Sequence, residues 1–190
     1  MRYPQIKRAS NAFLLSLRPQ WHTRLLPDSI LRNESTTIVE DISHANSIHK
    51  VYLAGMRGME ILSPDDNIVI YRTTDEPGRA RFRAVVTSLC VMEEYRNINS
   101  FADEASFVAY CNPYSIFTSA ELSNLWRTRR FPHVIRFTYN IALPRRLTRG
   151  HLLDNIELDP DAYWGFMSLS HQQFERIIED SGVNENLTVD

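Results

Sequence analysis

The chain has 190 residues, 43% of them apolar and 11% aromatic, enough to bury one core without covalent staples. Its formal net charge of -2 favours no partner, and Cys90 and Cys111 stand in no CxxC or Cys/His spacing, which argues against a disulfide framework and a zinc site. The basic start MRYPQIKRAS leads into no secretory apolar region, and no apolar run is of membrane-spanning length, so a cytoplasmic protein with no membrane partner is expected.

Residues 1–10 read as a flexible arm. Ala12 to Leu17, AFLLSL, is a short apolar strand that ends at Arg18-Pro19. Pro19 to Leu26 reads as a helix with Trp21, Leu25 and Leu26 at helical spacing, closed by Pro27. A polar loop follows, with a β-like patch at Thr36 to Val39. His44 to Met56 is expected to be a helix capped by Asn46 or Ser43 and ending at Gly55.

Asn67 to Tyr95 is the densest β signal, two strands around the breaker cluster Asp75, Glu76, Pro77 and Gly78. Within it, Arg79, Arg81 and Arg83 alternate with Ala80, Phe82 and Ala84 at the period of a half-buried strand. Ser100 is the expected N-cap of a helix to Tyr110, and Thr118 with Glu121 has the spacing of a capping box. Phe131 to Tyr139 is a strand broken at Leu143-Pro144, followed by a short helix at Thr148 to Leu153 and a strand at Tyr163 to Met167. A last helix over Ser170 to Asp180 has Ser170 and Gln173 at capping-box spacing, and a polar tail covers 182–190.

Charge is unevenly placed. From Arg127 to His151 the chain carries Arg127, Arg129, Arg130, Arg136, Arg145, Arg146 and Arg149 with no acidic residue, and the segment after it is acidic. There is no Gly-rich phosphate loop, no internal repeat, and no HxH or HExxH among the histidines, so no metal and no cofactor are expected.

FLLSLRPQWHTRLL is similar to the opening of ASCH and related PUA-like domains, in which an LSI-K/R-P-x-aromatic strand leads into a short helix. The run through HANSIHKVYL, NIVIYRTTDEPGRARFRAVVTSLCVMEE, VIRFTYNIALPRRLTRGHL and AYWGFMSLSHQQFERI resembles the PUA-like region attached to GNAT-type acetyltransferases in bacterial toxin-like proteins. The likeness covers about Ala12 to Ile178, and no acetyltransferase half stands beside it. It implies an α+β fold, a small mixed β-barrel decorated with short helices. One domain would span 11–181 with a helical insertion at 100–130.

In that family the cleft accepts a base or modified nucleotide. One ASCH branch hydrolyses acylated cytidine with a G-x-K-x-x-E-x-R element, for which this chain has HANSIHK, so that catalytic assignment does not carry across and the resemblance implies binding more than hydrolysis. The residues expected around a cleft are Ser16, Arg18, Asn46, Ser47, Lys50, Tyr71, Arg72, Tyr139 and Asn140, an aromatic, amide and cationic set suited to a nucleotide. The plainer alternative makes Tyr71 and Tyr139 core residues and Asn140 a turn former.

Arg79, Arg81, Arg83, Arg129, Arg130, Arg145, Arg146 and Arg149 would follow a nucleic-acid backbone, or else form solvated ion pairs. Three functions stay open: a module binding RNA or a modified base in DNA, a small hydrolase using His49 or Lys50, and a toxin–antitoxin or phage-defence module docking a protein through 100–130.

Overall fold

A computed structural model describes residues 3–26, 47–76 and 78–189. The patch at Thr36 to Val39 and the residues Ser43, His44 and Asn46 lie outside them. The elements are β1 (Ile6–Lys7), β2 (Ala12–Leu17), α1 (Pro19–Leu25), β3 (His49–Ala54), β4 (Asn67–Arg72), α2 (Ala80–Arg83) and β5 (Val85–Asn97). After them come α3 (Glu104–Cys111), α4 (Ser119–Thr128), β6 (His133–Thr148), α5 (Arg149–Asp154), β7 (Phe166–Leu169), α6 (His171–Ser181) and β8 (Thr188–Val189). No helix among the described residues is long and apolar enough to cross a membrane.

Six strands form one sheet in the order β3-β6-β5-β4-β2-β7, antiparallel throughout except for the parallel β2–β4 pair. Both faces are covered, and the strand sequences show it. Phe13, Leu15, Ile68, Ile70, Cys90 and Met92 pack with Leu25 of α1, Phe107 of α3 and Leu122 of α4. Leu14, Val69, Leu89 and Val91 pack on the opposite face with Leu152 of α5 and Phe174, Ile177 and Ile178 of α6. A strand buried on both faces needs no polar alternation, which accounts for the apolar run AVVTSLCVM.

The expected barrel is corrected: the sheet stays open, with β3 and β7 at its two ends. The free edge of β3 is partly covered, because Val51 donates its N–H to the Tyr114 carbonyl at 2.9 Å and bridges Ser115. Covering an edge with a loop removes the need to close the sheet.

Four local expectations are also corrected. His49 to Ala54 is a strand, not part of a helix, because both faces of HKVYLA are wanted in cores, which blurs helix and strand periods. Arg79 to Arg83 does not extend β5 but makes the helical turn α2, with Phe82 in solvent. The N-cap of α3 is Asp103, with Ser106 completing its capping box, while Ser100 ends a 3-10 turn. Finally, β6 runs on through Pro144 to Thr148. Proline is tolerated there because the β5–β6 register jumps between the pairs Ser88–Ala142 and Val86–Leu147, so no regular ladder bond is lost.

The Thr118–Glu121 and Ser170–Gln173 capping boxes form as their spacing predicts. At the ends of the chain, Ile6–Lys7 pairs in parallel with Thr188–Val189, and Arg8 meets Glu175 at 2.7 Å.

Candidate functional site

Parallel pairing of β2 and β4 brings their C-terminal ends level, Leu17 opposite Arg72, and the Thr73 N–H donates to the Leu17 carbonyl at 2.9 Å. At this end of the sheet the chain leaves β2 through Arg18-Pro19, β3 gives way to Gly55, and α4 and Phe131 close the side. The result is a cleft of about 770 Å³, within the roughly 300–1,000 Å³ usual for small-ligand sites.

Its lining is aromatic: Trp21, Tyr52, Phe117, Phe131 and Tyr163 all reach it. Trp21 packs on Phe117 with ring centroids 5.2 Å apart. Tyr52 is buried, which pushes its hydroxyl up to about 12, so it stays a neutral phenol able to donate. Two glycines let the walls approach. A Cβ at Gly55 would stand 3.3 Å from the Arg130 carbonyl and from Phe131 Cδ1, and one at Gly165 would lie 2.7 Å from Tyr163 Cζ.

Arginines ring these aromatics. Arg18 and Arg130 line the cleft, Arg57 stands 4.7 Å from the Tyr163 ring centroid and Arg24 5.5 Å from that of Trp21. Glu121 is the acidic residue of the lining, and Asn124 adds an amide able both to donate and to accept. The site therefore offers ring faces for stacking, an amide for a polar edge, and guanidinium groups for an anion.

Of the residues expected around a cleft, Ser16 and Arg18 line it, and Arg130 joins them. The Ser16 hydroxyl donates to the Trp164 carbonyl. Lys50 is buried on β3, and Tyr71 packs 5.3 Å from Trp164 on the α5–α6 face, where burial raises its phenol and an Arg149 hydrogen bond opposes that shift. Asn140 is buried and donates to the Pro4 carbonyl at 3.1 Å while accepting from Thr138 at 2.8 Å. Tyr139 packs against the α1–α4 core, and Arg72 donates to the Thr73 carbonyl at 3.4 Å. Asn46 lies outside the described residues.

His49 and Lys50 are strand neighbours and so point to opposite faces. The Ser47 hydroxyl accepts from the His49 backbone at 3.1 Å. His49 Nδ1 meets Glu93 at 2.7 Å, and Glu93 is held in turn by Arg136 at 2.8 Å beside a second cavity of about 550 Å³.

The basic residues are dispersed. Arg79 and Arg83 share Glu76, Arg81 pairs with Asp154, Arg129 covers Trp126, Arg149 covers Trp164, and Arg145 donates to the Asp180 carbonyl. Arg146 is half-buried. Among the described residues, no group of three His, Cys, Asp or Glu could hold a metal ion.

No signal within any one segment marks Tyr52, Phe117, Phe131 or Tyr163 as partners. Trp21 alone stands beside a motif, Arg18-Pro19, that the sequence singles out.

No family model matches the chain, and no curated protein does. Solved structures match in fold. The ASCH protein of Zymomonas mobilis aligns over 88% of this chain and 94% of its own at 9% identity, with a TM-score of 0.53. The N-terminal domain of McrB from Thermococcus gammatolerans, bound to m5C DNA, aligns over 92% of this chain and 100% of its own at 11% identity, with a TM-score of 0.51. A hypothetical protein from Leishmania major aligns over 95% and 98% at 16% identity, with a TM-score of 0.50. By its architecture, the chain shares the fold of the Zymomonas mobilis ASCH protein and of the McrB N-terminal domain.

Proposed function

We propose that this domain binds nucleic acid by taking one base, of RNA or a modified base of DNA, into the cleft beside Trp21 and Tyr52. The observation that carries the reading is the aromatic lining with Arg18 and Arg130 among it, since stacking on rings and cation–phosphate contact are the two sequence-tolerant sources of affinity for unpaired nucleotides. The fold match to a domain bound to m5C DNA supports it. No cofactor is required.

Fluorescence anisotropy tests it, with short single- and double-stranded RNA and DNA, with and without modified cytosine, across a salt series. Affinity should fall steeply as salt rises. Trp21→Ala should weaken binding about tenfold, in line with roughly 1–3 kcal/mol per stacked base. Arg130→Ala should flatten the log–log salt slope by about 0.7–0.9, one phosphate's share. No binding to any of these at low salt would end the reading.

A second reading, a small hydrolase acting on a nucleoside or RNA, is favoured by one observation: the His49 ring is oriented by Glu93 as a general base would be. Turnover lost in His49→Ala with binding retained would select it. For the protein-docking alternative, no large apolar side chain within 100–130 is exposed among the described residues, and Phe107, Leu122 and Leu125 are buried in the domain's own core. That favours base binding over docking.

A further inference from the structure

Phe82 is the most exposed large apolar side chain among the described residues, at 74%. A lone exposed apolar residue needs no explanation by itself, and three features set this one apart. Its flanks are Arg79, Arg81 and Arg83, all exposed or nearly so. Glu76 pairs with both Arg79 and Arg83, at 3.3 and 3.7 Å, and Asp154 with Arg81, so three guanidinium groups on the turn stand against these two carboxylates.

Next, the turn is firmly mounted. Ala84 is buried and its carbonyl accepts from the Arg149 N–H at 2.8 Å. Arg81 bonds Asp154 at 2.6 Å, and α5 comes so near that a Cβ on Gly150 would lie 3.2 Å from the Arg81 carbonyl. Phe82 is thus held in water by a fixed helical turn rather than left there by a loose loop.

The third feature is position. The segment departs from the cleft wall, since Thr73 lines the cleft, and returns at Val85, which pairs with Arg72 at the same end of the sheet.

The geometry points to Phe82 as a second stacking platform, taking a base that neighbours the one in the cleft, with Arg79 and Arg83 against the phosphates between them. The ligand is then a polynucleotide strand and not a free nucleotide or nucleoside. This rests on the base-binding reading of the cleft. The occupant follows from charge and continuity: a cationic aromatic turn that rejoins the sheet at Val85, opposite Arg72 and next to the cleft residue Thr73, matches the next unit of the same anionic strand.

The test uses a single-stranded DNA oligonucleotide of about ten residues, within the usual site size of roughly 4–16, carrying one 5-methylcytosine with 2-aminopurine beside it, and its RNA counterpart. Cytidine and 5-methyldeoxycytidine monophosphates serve as one-base ligands. Phe82→Ala should weaken oligonucleotide binding about tenfold and leave the mononucleotides unchanged, whereas Phe82→Trp should restore affinity with quenching of the tryptophan. Unchanged oligonucleotide affinity in Phe82→Ala overturns the inference, as does an equal loss for mononucleotides, or an effect on oligomeric state alone. If Trp21→Ala changes neither ligand's affinity while Phe82→Ala weakens the oligonucleotide, the cleft reading fails and the turn remains a strand contact. Failure of the wild-type chain to bind any oligonucleotide rejects both.

Discussion

Taking the protein from pH 7 to pH 5 should remove about 2 kcal/mol of stability through His22 alone. His22 lies on α1 with no exposed surface, its Nε2 is 2.8 Å from the Thr87 hydroxyl, and its Nδ1 is buried without a hydrogen-bond partner. Burial, and after it the charges of Arg72 and Arg146, lower its pKa to about 3.

An unfolded histidine takes up a proton near pH 6.5, and the folded one refuses it until about 3. The stabilisation from keeping the ring neutral is therefore complete above about 6.5 and drains away as pH falls toward 3, at roughly 1.36 kcal/mol per pH unit. Urea unfolding at pH 7, 6 and 5 checks this against His22→Gln, which keeps an amide near Thr87 but cannot titrate. The wild type should lose stability more steeply than the variant, and parallel slopes would refute the assignment.

Phe107→Ala should cost about 3–5 kcal/mol, as aromatic truncations in a packed core do. Phe107 is fully buried, set 5.4 Å edge-to-face from Phe101 and 5.5 Å from Trp126 on α4. It is the packing that fixes α4, and α4 supplies Glu121, Asn124 and Leu125 to the cleft. Ligand affinity should fall too, although Phe107 does not line the cleft. Ala109→Ser, on the exposed side of α3, should stay within about 0.5 kcal/mol. Urea midpoints, with affinity read where the variant is still folded, give both values; a cost below about 1 kcal/mol would mean that α4 is held by other contacts.

How far the fold was legible followed how local each signal was. The capping boxes at Thr118 and Ser170, the Pro19 helix start and the β4–β5 pairing all depend on residues a few positions apart or on one continuous apolar run. HKVYLA misled because burial on both faces removes the polar phase that separates a period of 2 from one of 3.6. RARFR misled for a different reason: five residues are too few for a period to decide, and the docking of α2 on α5 through Gly150 chose a helical turn.

The amino-acid sequence by itself determined the local punctuation of this protein and the chemistry at hand, with Arg18-Pro19 marking one wall of the cleft. Only the tertiary structure decided which rings meet there. Trp21, Tyr52, Phe117, Phe131 and Tyr163 come from separate stretches and are gathered by the parallel β2–β4 pair, the end of β3 and the seating of α4. Tyr71 and Asn140 have the same chemistry but are turned into cores and contacts elsewhere. A side chain's type states what it can bind; the face to which its strand turns it, settled by long-range pairing and burial, states whether a ligand can reach it.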